Sequence, residues 1–155
     1  MKKFFITSAV ALSLISTGAL ADAGHGDKKE DTTAGKPGDP SKATRTIEVT
    51  MSDTMRFAPS NLTVKRDETI KFMVKNAGKL KHEMVLGSAK ELKEHAELMR
   101  KFPDMQHADP NQVTLDAGKT GEIVWQFTQA GNVDFACLQP GHFEAGMVGK
   151  VVVKR

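Results

Sequence analysis

The chain has 155 residues, 39% of them hydrophobic and 26% charged, which is the composition of one folded domain and excludes a disordered or multi-span membrane protein. Its 22 basic residues exceed its 19 acidic ones by only three, which argues against a nucleic-acid or anionic-membrane partner. A single cysteine, Cys137, excludes an intramolecular disulfide and any multi-cysteine zinc or iron–sulfur site, leaving a free thiol, an intermolecular bridge or one thiolate ligand.

In chain order, Lys2 and Lys3 precede an apolar run from Phe4 to Ile15, and Ala19-Leu20-Ala21 supplies the small residues that a signal peptidase reads. Residues 1–21 are thus expected to be a secretory signal peptide, cleaved before Asp22. The run is too short for the ~20 residues of a membrane-spanning helix. We therefore expect a soluble exported product with no membrane insertion after cleavage, its net charge reduced from +3 to +1 by loss of the two lysines. Residues 22–43 are Gly, Asp, Lys, Thr and Pro with no large apolar side chain, and read as a flexible polar leader. His25 within it reads as a solvated tail histidine.

Residues 44–155 read as one domain built mostly of strands. Ile47, Val49 and Met51 alternate with polar residues, as do Leu62 and Val64, then Ile70, Phe72 and Val74. Such period-two runs mark half-buried strands. A strand at His82–Leu86 follows the Asn76-Ala77-Gly78 turn. Ser88 with Glu91 forms a capping box for a helix that Pro103 ends, with Leu92, His95, Met99 and Phe102 on one face. Strands then follow around Val113 and Leu115, at Ile123–Phe127, at Val133–Cys137 and at Val148–Val153. Seven or eight short strands with one short helix in a mid-chain insertion predict an all-β, Greek-key β-sandwich.

The chemistry is concentrated between the last two strands, in Cys137-Leu138-Gln139-Pro140-Gly141-His142-Phe143-Glu144-Ala145-Gly146-Met147. A thiolate, an imidazole and a thioether share one loop, and Pro140, Gly141 and Gly146 supply turn geometry that lets them converge. Soft sulfur donors with imidazole select copper, and two histidines, one cysteine and a long axial methionine form the electron-transfer copper arrangement. The missing histidine is best supplied by His82, since His25 lies in the leader, His95 on the helix and His107 in a loop. Met147 also reads as ordinary core, because Val148 and Val151 follow it. Met84 shares a strand face with His82 and is expected in the core, whereas Glu83 points the other way and is expected to be solvated.

With an upstream histidine on a strand and a Cys-x₄-His-x₄-Met loop before the last strand, residues 44–155 resemble the cupredoxins, the small blue-copper proteins. The leader and the Lys81-His82-Glu83-Met84-Val85 strand make the chain most similar to the CopI-type periplasmic copper-tolerance cupredoxins of Gram-negative bacteria. That resemblance implies one type 1-like copper site cycling between Cu(II) and Cu(I), with His82, Cys137 and His142 equatorial and Met147 axial. It further implies a periplasmic location and, as partners, the copper ion and a periplasmic redox or copper-handling protein. The chain departs from the family at one position. Many cupredoxins carry Asn or Ser directly after the first histidine, where its backbone amide donates to the thiolate; here that residue is Glu83, so a different side-chain tie across the loop is expected.

Two functions suit such a site: copper tolerance, by sequestering or oxidising exported Cu(I), and electron transfer between redox partners. The tolerance reading is favoured by the resemblance and by the seven methionines of the mature chain. A Cys–His hydrolase is disfavoured, because Cys137 lies between strands and Met147 would go unexplained. A multicopper oxidase would need further histidine clusters and a second domain. We therefore expect no enzyme. A second, Cu(I)-preferring site formed by some of His95, Met99, Met105 and His107 is a further expectation, set against the equal fit of Met99 to the apolar stripe of the helix.

Overall fold

The computed structural model describes residues 34–103, 105 and 108–155. The expected signal peptide, the leader up to residue 33, His25 and His107 lie outside the described residues.

Alternating side chains close a sandwich of two five-stranded sheets. The first runs in the order β1 (Lys36–Pro37), β8 (Thr120–Gln126), β5 (Thr69–Asn76), β2 (Arg45–Ser52), β3 (Arg56–Ala58). The second runs β4 (Asn61–Lys65), β10 (Val148–Lys154), β9 (Gly131–Ala136), β6 (His82–Gly87), β7 (Gln112–Leu115). The pairs β2–β5 and β4–β10 are parallel and the others antiparallel, so the chain passes repeatedly from one sheet to the other, as a Greek-key sandwich requires. Val49, Met51, Ile70, Phe72, Val74, Ile123 and Trp125 face inward from the first sheet. Leu62, Val64, Met84, Val133, Phe135, Val151 and Val153 meet them from the second. Phe57 on β3 and Phe135 on β9 join the layers edge to face, with ring centroids 5.0 Å apart.

The helix, α1 (Ala89–Lys101), starts at the expected capping box: Ser88 Oγ accepts from the Glu91 amide, and the Glu91 carboxylate accepts from the Ser88 amide. Its buried stripe differs from the expected one. Leu92, Ala96 and Met99 are buried, whereas His95 is half-buried and Phe102 exposed. Ala96 carries little apolar signal because it is small, yet a small residue lets the helix lie close to a sheet. The stripe packs on Val85, Ala136 and Leu138, so α1 covers the outer face of β6 and β9, and all six residues of β6 are buried.

Within the expected leader, residues 34–43 are described and pack against the first sheet. Ala34 is buried, β1 pairs with β8, and a short 3₁₀ turn at Pro40–Lys42 is capped by Asp39. The anchor is Trp125: its indole N–H, buried with the ring, donates to the Ala34 carbonyl at 2.9 Å. A buried indole N–H needs an acceptor, and the Ala34 carbonyl supplies it.

Candidate metal centre

Three elements bring the donor atoms together. His82 is the first residue of β6, Cys137 follows the end of β9, and His142 lies in the loop leading to β10. The loop is a compact turn. The His142 amide donates to the Gln139 carbonyl, the Met147 amide to the His142 carbonyl and the Cys137 amide to the Met147 carbonyl, at 2.9–3.1 Å. Gly141 and Gly146 have φ of +85° and +84°, conformations that residues with a Cβ rarely adopt. Arg56, on a short strand that the alternation did not reveal, clamps the far end by donating to the carbonyls of Ala145 and Gly146 at 3.1 and 3.4 Å.

Cys137 Sγ lies 3.2 Å from His142 Nδ1 and 3.9 Å from His82 Nδ1. The sulfur and the two imidazoles offer ligand atoms that all lie within 4.8 Å of one another. Cys137 and His82 are fully buried and His142 half-buried. Met147 is fully buried, packs in the same core cluster as Cys137 and is hydrogen-bonded through its main chain to both Cys137 and His142. One sulfur and two imidazole nitrogens converging in a shielded pocket suit a soft, copper-type ion.

Two carboxylates support this group; the sequence marked Glu83 as the place of an altered tie across the loop, and it did not mark Asp53. Glu83, expected to be solvated, is buried. Strand alternation did turn its side chain away from His82, but there the loop after Cys137 closes over it, with Thr114 of the neighbouring strand β7 beside it. Its carboxylate accepts from the Leu138 amide at 2.9 Å and from Thr114 Oγ1 at 3.1 Å, and its own amide donates to Cys137 Sγ at 3.4 Å. The expected backbone donor to the sulfur is therefore present, and the tie across the loop is a carboxylate. Asp53, in the turn between β2 and β3, places Oδ1 3.0 Å from His82 Nε2. Hydrogen bonds from the Lys79 amide and from His82 hold its carboxyl below the usual carboxylate range.

Burial pushes the Cys137 thiol up to about 12, with the Glu83 charge adding to the effect against the amides of Glu83 and Gln139. Burial, and then the neighbouring His82, lower the pKa of His142 against the opposing Asp53 charge. Without metal the sulfur therefore carries its proton across the whole neutral range, and a metal must displace it. The expected result is a copper affinity that rises about tenfold per pH unit between about pH 7 and 9, with one proton released per ion. Calorimetry in buffers of different ionisation enthalpy measures that proton; an affinity flat with pH would mean that no thiol proton is displaced.

Of the residues of the expected second site, His107 lies outside the described residues. Met99 is buried in the α1–sheet layer, His95 is half-buried on the same helix and Met105 is exposed.

Residues 43–154 match the model of the family described as copper binding proteins, plastocyanin/azurin family. A copper-resistant cuproprotein CopI from Rubrivivax gelatinosus is 56% identical over 151 residues, covering 92% of each chain. The CopI of Pseudomonas aeruginosa is 36% identical over 170 residues, covering 91% of each. Among solved structures, the dithionite-reduced auracyanin of Roseiflexus castenholzii shares the fold, with a TM-score of 0.63 at 21% identity over 73% of this chain and 99% of that one.

Proposed function

The chain belongs to the plastocyanin/azurin family of copper-binding proteins, as a CopI-type cupredoxin, and from that premise we propose that it is an exported copper-tolerance protein. It holds one copper ion through His82, Cys137 and His142, with Met147 as a weaker fourth donor. The observation that carries this reading is the convergence of the three donor atoms within 4.8 Å. Copper, when bound, supplies a one-electron Cu(II)/Cu(I) couple. The protein's own part is to shield the sulfur, orient both imidazoles and expose only the His142 edge, through which an ion or an electron passes.

The tolerance role is supported by the names of its relatives, copper-resistant cuproproteins at 56% and 36% identity. Its place is the periplasm, supported by the Lys2-Lys3 pair, the Phe4–Ile15 run and Ala19-Leu20-Ala21. The protein acts by binding rather than by catalysis.

Expression in a copper-sensitive Gram-negative host tests this reading. Growth in raised copper should be restored by the full chain, and the mature protein, beginning at Asp22, should be recovered from the periplasmic fraction. A chain with Cys137→Ala should be exported to the same level without restoring growth. Equal protection by both chains would refute a tolerance role for this site.

A further inference from the structure

The His82 ring is held from two sides. The His82 side chain has no exposed surface; its Nδ1 faces Cys137 Sγ at 3.9 Å, and its Nε2 lies 3.0 Å from Asp53 Oδ1. A neutral imidazole carries one proton, and a carboxylate only accepts. Asp53 therefore selects the tautomer with the proton on Nε2 and leaves the Nδ1 lone pair pointing at the sulfur and at His142.

The carboxylate is fixed independently of the histidine. Asp53 Oδ2 accepts from the Lys79 amide at 2.8 Å and Oδ1 from the Leu80 amide at 3.2 Å. The turn that presents these amides is pinned by the fully buried Asn76. Its Nδ2 donates to the carbonyls of Leu80 and Leu115, and its Oδ1 accepts from the Gly78 amide. Gly78 is required for the fit: a Cβ there would run into Asp53 Oδ1. Asp53 lies in the β2–β3 turn at the end of the first sheet and His82 begins β6 in the second, so the contact ties the two layers together at the site.

We propose that Asp53 is the positioning residue of His82: its carboxylate holds the ring in the Nε2–H form with Nδ1 free for the metal, and its charge biases the site toward Cu(II) over Cu(I). The second half rests on the reading of His82 as a copper ligand given above. A carboxylate behind a ligating imidazole increases the basicity of the ligand, and the added negative charge favours the more highly charged ion.

The test uses the mature protein with Cys137 kept reduced. Long-range ¹H–¹⁵N correlation spectra of the metal-free wild type should show His82 protonated at Nε2 only; a proton on Nδ1 would overturn the positioning role without any variant being made. In Asp53→Asn, which removes the charge but keeps the side-chain bulk, Cu(II) affinity should fall about 10–100-fold, the usual effect of losing such a partner. Cu(I) affinity should fall less. A tenfold difference between the two losses is a rise of about 59 mV in reduction potential. Equal losses for both ions, or none, would overturn the bias toward Cu(II). A wild type that binds no copper would overturn the proposed function and the bias with it, while the spectrum of the metal-free protein would still decide the positioning role.

Discussion

Replacing Cys137 with alanine should weaken copper binding by well over 100-fold, more than the roughly 10–100-fold that follows loss of a supporting residue, while the sandwich still folds. Alanine keeps the small apolar volume that a buried cysteine occupies in a core, so Val133, Phe135 and Met147 stay packed around it. What alanine cannot do is accept the hydrogen bond from the Glu83 amide, which ends on the sulfur at 3.4 Å. A stranded buried donor costs about 1–3 kcal/mol, so metal-free stability should drop by that amount in urea unfolding. A variant that binds copper as tightly as the wild type would remove Cys137 from the site.

Glu83→Ala should have the larger effect on the fold. It takes the acceptor from the buried Leu138 amide and the partner from Thr114 Oγ1, and it leaves a cavity under the loop. The Leu138 amide alone should cost about 1–3 kcal/mol, and the cavity adds to it. Glu83→Gln should cost clearly less, because its amide oxygen still accepts from Leu138 and the Thr114 hydroxyl can turn to accept from its NH₂. The backbone donor to the sulfur survives in both, so both variants should still bind copper. Urea unfolding of the two metal-free variants checks the order; equal destabilisation would show that the negative charge, which both variants remove, matters rather than the volume and the acceptor that glutamine keeps.

These residues also show where reading the sequence succeeds and where it stops. Long strands with several inward side chains announce themselves: Ile70, Phe72 and Val74 on β5, or Ile123 and Trp125 on β8, repeat the period two or three times. The strand β3 buries only Phe57 of its three residues, and β1 buries none, so neither carries a period to recognise. Both nonetheless shape the molecule, β3 by bringing Arg56 to the loop and β1 by extending the first sheet beside Trp125. The helix shows the same limit: its capping box is local and was legible, but which residues it buries depends on β6 and β9, which lie elsewhere in the chain.

The site divides along the same line. Cys137, His142 and Met147 occupy one loop of soft donors, and His82 lies at the start of a strand, so their chemistry can be read from residue type and spacing. Asp53 is an acid in a surface turn, 29 residues before the histidine that it faces, and nothing in its neighbourhood marks it. Glu83 misleads for another reason. Alternation correctly turns it away from His82, but whether the other face of a strand meets water is decided by what packs there, and here that is the loop after Cys137.

The central claim is that Cys137 bonds copper in a shielded site with two histidines. Its most direct test is the visible absorption spectrum of the mature protein loaded with one equivalent of Cu(II). An intense thiolate-to-copper charge-transfer band is expected, absent from Cys137→Ala treated in the same way. A wild-type protein that takes up Cu(II) without such a band, or a band that survives the loss of Cys137, would contradict it.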